Sequence, residues 1–108
     1  MKVSDDMTIA ELHSRIQAGD PPLIIDVREP AEFKICRIPG AVLIPLGELA
    51  GRINELDPDS EVVLQCRSGA RSARAASMLR RRGFRKARNL AGGILAWIDQ
   101  VDPTQPKY

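Results

Sequence analysis

The sequence predicts an α/β domain built on a mainly parallel sheet, and three observations carry that prediction. Short unbroken apolar runs, Leu23-Ile24-Ile25 with Val27, Val42-Leu43-Ile44 and Val62-Val63-Leu64, have the pattern of strands buried on both faces. Between these runs lie segments whose apolar residues recur at helical spacing, such as Ile9, Leu12 and Ile16. The 108 residues, 44% hydrophobic and 28% charged, suffice for one domain with one core and have an ordinary globular composition. The expectation is a single domain over 1–108, with its core over about 7–98 and an extended tail over 99–108.

The elements follow in order. Thr8 with Glu11 three residues on has the form of a capping box, and Gly19 stops the helix that it opens. His13 lies in that helix away from any other candidate ligand and reads as a surface or boundary residue. After the Asp20-Pro21-Pro22 turn comes a strand ending near Asp26, and Pro30 suits the first turn of a short helix to about Ile35. Val42 to Ile44 forms the next strand, and Pro45 ends it. Leu46, Leu49, Ile53 and Leu56 then share one face of a helix over 46–56. A strand over Val62–Leu64 and a helix over Ala73–Arg82 precede a last strand within Phe84–Leu90. Gly92-Gly93 opens a closing helix carrying Ile94, Leu95, Trp97 and Ile98, with Trp97 read as core.

The chemistry concentrates in Gln65-Cys66-Arg67-Ser68-Gly69-Ala70-Arg71-Ser72-Ala73, which reads as strand, tight loop, helix. A helix start leaves backbone N–H groups unpaired and carries the positive end of the helix dipole, so a thiol placed there shifts toward thiolate. Cys66 is therefore a candidate nucleophile. Ser68 and Gly69 suit a loop whose amides turn inward to cradle an anion. Arg67 and Arg71 add charge that can hold a small dianion beside the thiol. Asp26 and Arg28 lie at the carboxyl end of their strand, the sheet edge that also carries Cys66. A structural Asp26 and an Arg28–Glu32 pair that orders the loop are favoured over direct contact with substrate. Both cysteines read as free thiols, and Cys36 as a half-buried packing residue rather than a resolving thiol.

The run Cys-Arg-Ser-Gly-x-Arg-Ser at 66–72 resembles the active-site loop of the rhodanese family of sulfurtransferases. Two further pieces match in order: Asp26-Val27-Arg28-Glu29-Pro30 with Glu32-Phe33 and Ile38-Pro39-Gly40-Ala41, and Asn89-Leu90-Ala91-Gly92-Gly93-Ile94-Leu95-Ala96-Trp97. The resemblance runs from about Met7 to Ile98. It implies a rhodanese-like sheet of about five strands with helices on both faces. It also implies a ping-pong reaction in which Cys66 takes a sulfur atom from a donor such as thiosulfate, carries it as a persulfide and passes it on. No metal or organic cofactor is required. Phosphatases of this fold have five residues between cysteine and arginine; here four separate Cys66 from Arg71, which fits a terminal sulfur rather than a phosphoryl group. Where the family commonly has His, this chain has Arg37. The Gly-Gly turn, by resemblance, borders the loop and gives an acceptor room.

Charge is uneven along the chain. Residues 1–61 sum to −6, whereas 62–98 hold nine basic and no acidic side chains. Such a region would steer anionic donors or an acidic protein toward the cysteine. The arginines have few aromatics among them, which argues against nucleic acid. The tail, Ile98 to Tyr108, is similar to the ending of rhodanese domains fused to adenylylating enzymes that serve molybdopterin and thiamine sulfur carriers. That likeness implies a ubiquitin-like carrier as acceptor and a cysteine desulfurase as an alternative donor; a tail packing Val101 or Tyr108 on the last helix is the plain alternative. No apolar run approaches the roughly 20 residues of a membrane span, and Met1 to Asp6 is polar, so the expected location is the cytoplasm without membrane partners. The rival functions are a non-catalytic binding module, against which the presence of Cys66 argues, and a phosphatase or arsenate reductase on the same fold.

Overall fold

A computed structural model describes residues 5–108. Its sheet has five strands: β1 (Asp6–Met7), β2 (Leu23–Asp26), β3 (Val42–Leu43), β4 (Val62–Gln65) and β5 (Ala87–Leu90). They pair in the order β1-β5-β4-β2-β3, every neighbour parallel. The five helices are α1 (Ile9–Gln17), α2 (Pro30–Ile35), α3 (Leu46–Leu49), α4 (Ala70–Arg81) and α5 (Gly93–Gln100). The α/β architecture is the one that the unbroken apolar runs predict.

Alternation along the central strands splits the core in two. Ile25, Val62 and Leu64 join Leu49, Ala75, Ala76 and Leu79 on one face of the sheet. Ile24 and Val63 join Leu12, Leu90, Ile94 and Trp97 on the other. The central strands β2 and β4 are thus covered on both faces, which is why Leu23 to Ile25 and Val62 to Leu64 read as unbroken apolar runs.

Local signals set the element ends, with three departures from expectation. Thr8 Oγ1 accepts from Glu11 N at 3.0 Å, so half of the expected capping box forms; the Glu11 carboxylate instead takes Arg88 Nη1 at 2.6 Å. The helix expected over 46–56 is α only through Leu49 and continues as a tighter 3-10 helix over Ala50–Glu55. Gly51 in this stretch weakens the α form. The expected extended tail turns back through Asp102 to Gln105, whose amide donates to the Asp102 carbonyl at 3.3 Å. Gln105 is then fixed to the Arg37 backbone by two hydrogen bonds of 2.8 and 2.9 Å.

The short edge strand β1 was not legible from two residues of pattern. Its Asn89 and Leu90 partners pull the amino-terminal segment beside β5. Register also matters for the site, since Asp26 lies opposite Gln65, so Asp26 and Cys66 emerge at the same carboxyl edge.

Candidate active site

Cys66 follows the last residue of β4, and α4 begins four residues later, at Ala70. The connection is shorter than the sequence pattern suggests, because Ala70, Arg71 and Ser72 already form the first turn of the helix. Gly69 caps it with φ +118, a backbone angle that a side chain would oppose. This tight entry aims the helix start at the cysteine. Gly69 N donates to Sγ at 3.1 Å, Ser72 N at 3.4 Å and Ser72 Oγ at 3.2 Å.

Cys66 is buried, with 1% of its surface exposed. Burial pushes its thiol pKa up, but the Ser72 hydroxyl and the Ser72, Gly69 and Ser68 amides outweigh that effect and hold it below the ordinary value. The sulfur environment therefore shifts the thiol toward thiolate. Ser72 Oγ also lies 2.5 Å from Asn89 Oδ1 and 3.3 Å from the Gly69 carbonyl. Its single proton serves one acceptor at a time, and a charged sulfur competes best for it.

The loop is held from behind by α5. Ile94 N donates to the Cys66 carbonyl at 2.9 Å and Leu95 N to the Arg67 carbonyl at 3.2 Å. A Cβ on Gly93 would lie 2.5 Å from both carbonyl oxygens. The space beside the Gly-Gly turn, expected to give an acceptor room, is filled here by the loop's own backbone. With these carbonyls drawn to α5, the amides of the loop are left for the sulfur.

Arg71 and Arg67 leave the loop toward different partners. Arg71 makes a two-pronged contact with Glu32, Nη1 to Oε1 at 2.7 Å and Nη2 to Oε2 at 2.9 Å. Glu32 also accepts from Glu29 N at 3.0 Å and from Tyr108 Oη at 2.7 Å. Chiefly through Arg71, its pKa is lowered to about 2. Arg67 Nε donates to the main-chain oxygen of Tyr108 at 2.8 Å, and its Nη2 reaches the same oxygen.

Asp26 and Arg28 form a fully buried pair, Arg28 Nη2 to Asp26 Oδ2 at 2.7 Å. Burial opposes the Arg28 charge, yet the hydrogen bonds it donates to Asp26 and Tyr108 more than restore it, raising its pKa. Arg28 Nη2 further donates to the Cys36 carbonyl at 2.6 Å and Nη1 to Tyr108 Oη at 2.9 Å. Among the described hydrogen bonds none joins Asp26 or Arg28 to Cys66. The expected Arg28–Glu32 pair is corrected: Arg28 reaches the Glu32 backbone carbonyl at 3.3 Å, while the Glu32 carboxylate goes to Arg71. A guanidinium already filled by Asp26, Tyr108 and the Cys36 and Glu32 carbonyls leaves the second carboxylate for the loop.

Cys36 and Cys66 are both free and buried, but they pack in the cores on opposite faces of the sheet. Arg37, standing where the family commonly has His, lays its guanidinium 4.7 Å from the Phe33 ring centre. Three residues of the site escaped sequence reasoning as site residues: Glu32, Asn89 and Tyr108. All lie within the quoted stretches, yet only the fold shows that they converge.

The Rhodanese-like domain family matches residues 8–100. The chain belongs to the rhodanese-like family. A sulfurtransferase of Allochromatium vinosum is 40% identical over 80% of this chain and 80% of its own length. The adenylyltransferase and sulfurtransferase MOCS3 of Drosophila sechellia is 43% identical over 94% of this chain but only 24% of its own length. The human single-domain sulfurtransferase TSTD1 superposes with a TM-score of 0.80 at 28% identity, covering 91% of this chain and 98% of that one. The chain spans about half or less of the length of several other curated relatives, 37% and 52% in two of them. Among the described residues no helix of this rhodanese domain is long and apolar enough to cross a membrane.

Proposed function

We propose that this rhodanese domain is a sulfurtransferase with Cys66 as the covalent sulfur carrier. One observation carries the reading: two amides and a hydroxyl of the α4 start converge on Sγ within 3.4 Å. Such donors lower the cost of a negative sulfur without having to reorganise. The Cys66 thiolate attacks the outer sulfur of thiosulfate, a new S–S bond forms, and sulfite leaves with the electron pair of the broken bond. Arg67 neutralises charge on the leaving group. The terminal sulfur of the resulting persulfide is an anion held by the same helix start. A thiophilic acceptor then attacks that sulfur, and the bond electrons return to Cys66 as thiolate.

A cysteine desulfurase would serve as donor through the same Cys66 step. The acceptor is an acidic ubiquitin-like sulfur carrier, a reading supported by relatives named as adenylyltransferase and sulfurtransferase. A groove of about 500 Å³ beside the site, lined by Leu46, Ala73, Arg74, Ser77, Met78 and Arg81, offers apolar contact and positive charge for it. Asp26 and Arg28 act by ordering the chain around the site.

Intact mass after thiosulfate treatment tests the reading. The expected result is a gain of one sulfur, ~32 Da, reversed by cyanide, absent in Cys66→Ser and retained in Cys36→Ser. An adduct that follows Cys36 instead would transfer the role. Hydrolysis of an aryl phosphate without any sulfur transfer would replace the reading with a phosphatase.

A further inference from the structure

We propose that Asn89 is a positioning residue that acts on Cys66 through Ser72, competing for the one proton of the Ser72 hydroxyl and so setting the balance between loading and unloading of the sulfur. The proposal rests on the sulfurtransferase reading for its two half-reactions, while the competition itself is a matter of geometry. Three acceptors surround Ser72 Oγ: Asn89 Oδ1 at 2.5 Å, Cys66 Sγ at 3.2 Å and the Gly69 carbonyl at 3.3 Å. Which end of the Asn89 amide faces Ser72 is decided on its far side, where Nδ2 lies 3.3 Å from Asp6 Oδ1. An ionised carboxylate only accepts, so the amide nitrogen turns to Asp6 and the oxygen to Ser72.

The consequence follows from the charge on sulfur. While Cys66 is a neutral thiol or a persulfide, Sγ is a weak acceptor, and Ser72 donates to Asn89 across the shortest of its three contacts. When Sγ is a thiolate, a charge-assisted bond draws the hydroxyl to it. Asn89 is only 8% exposed, and its Oδ1 then loses the Ser72 proton. A buried acceptor left unpaired carries a free-energy cost, so Asn89 opposes the thiolate that the α4 amides favour. A less stabilised thiolate attacks a donor sulfur more strongly, but it is a poorer leaving group when an acceptor attacks the persulfide and the S–S electrons return to Sγ. Asn89 therefore tilts the pair of steps toward loading. The charged groups on the surrounding elements are Arg67 in the loop, Arg71 on α4 with its Glu32 partner on α2, the Asp26–Arg28 pair of β2, and Asp6 with Arg88 at the β1–β5 edge. Among the described hydrogen bonds none joins these groups to Ser72, and substitution of Asn89 by an apolar residue leaves their charges in place.

The test compares wild type with Asn89→Leu, which removes the acceptor at similar size, and Asn89→Asp, which strengthens it. Asn89→Ala stands in should the leucine variant not fold by circular dichroism. Iodoacetamide alkylation of Cys66 is followed by peptide mass across pH. Asn89→Leu is expected to move the midpoint down and to speed alkylation below it about fivefold, the effect of one hydrogen bond of ordinary strength, and Asn89→Asp to move it up. In a Ser72→Ala background the leucine substitution should change the rate by less than about twofold, because the competition has lost its proton. Above the midpoints, single-turnover rates should show the ratio of cyanide unloading to thiosulfate loading rise by about two- to fourfold in Asn89→Leu. A midpoint that rises in Asn89→Leu, an effect that survives in Ser72→Ala, or an unchanged ratio overturns the proposal. Midpoint shifts of the expected sign with no sulfur loading in any form uphold the competition for the Ser72 proton and sink the sulfurtransferase reading. Normal loading with an unmoved midpoint sinks the role of Asn89 alone.

Discussion

Gly93→Ala probes the feature that aims the loop at its sulfur. Gly93 has φ +59, and a Cβ there would lie 2.5 Å from the carbonyl oxygens of Cys66 and Arg67, against ordinary contacts of 3.4 Å or more. The loop backbone must therefore retreat by close to an ångström. That movement breaks the Ile94–Cys66 and Leu95–Arg67 bonds of 2.9 and 3.2 Å. Two such bonds contribute about 1 kcal/mol each, and a left-handed alanine costs about 1 to 2 kcal/mol more, so the variant should lose about 3 to 4 kcal/mol. Gly83→Ala is the control, since Gly83 has φ +97 but nothing within 4 Å of its notional Cβ. It should show the conformational cost alone. Urea unfolding gives the stabilities, and iodoacetamide alkylation of Cys66 reports the cradle. Gly93→Ala should slow alkylation at neutral pH while Gly83→Ala leaves it unchanged. Equal destabilisation by the two variants, with Cys66 reactivity intact in both, would refute the claim that α5 shapes the cradle.

Four further outcomes are expected. Ser72→Ala removes a hydrogen bond to a charged sulfur, worth about 1.5 to 3 kcal/mol, so Cys66 alkylation at neutral pH should slow roughly tenfold to a hundredfold and its pH midpoint should rise. Glu32, whose pKa drops from 4.5 unfolded to about 2 folded, contributes stability that is fully present above pH 4.5 and lost as pH falls toward 2. The stability gap between wild type and Glu32→Gln should shrink across that window in acid titrations. Arg71→Ala removes the two-pronged Glu32 clasp on the first turn of α4, a charged contact of about 1.5 to 3 kcal/mol, and the loosened loop should slow the thiosulfate half-reaction more than tenfold, measured by stopped-flow. Arg74→Glu with Arg81→Glu should weaken sulfur delivery to an acidic carrier protein at low salt while thiosulfate-to-cyanide turnover stays unchanged; equal loss in both assays counts against the groove.

Much of the fold was legible because its causes are local. The apolar runs at 23–25 and 62–64 announce strands covered on both faces, and Gly83 and Pro30 mark helix ends. Cys66 and the α4 start were legible for the same reason: strand, glycine and helix follow one another in nine residues. What stayed hidden depends on pairing across the fold. Glu32 reaches Arg71 over 39 positions, and Tyr108 reaches Glu32 over 76. No spacing rule links such residues. The Arg28–Glu32 expectation failed on a competition that sequence does not rank, since Asp26, two residues away, takes Nε and Nη2 while Tyr108 and backbone carbonyls take the rest. Asn89 is a similar case: a polar residue in a buried strand, whose role against Ser72 emerges only when β5 settles beside β4.

The pattern of partners also decides what the positive charge of this region can do. The +9 of residues 62–98 invites a picture of one basic field around the cysteine. The structure divides that charge. Arg71 and Arg88 are tied to carboxylates of the acidic first half, at 2.7 and 2.6 Å, and so act as clasps between α4 or β5 and the elements before them. Near the sulfur, the charge that would answer an incoming anion in the proposed reaction comes from Arg67 and from the N–H groups of the α4 start. The latter are fixed by backbone geometry and act over a few ångströms, whereas Arg67 reaches outward on a flexible stem. In the proposed reaction, capture and stabilisation would be carried by different groups: Arg67 would meet the donor, and the peptide amides would hold the sulfur once it has arrived. A substitution at Arg67 should accordingly act on the encounter with the donor, and one in the loop backbone on the life of the persulfide.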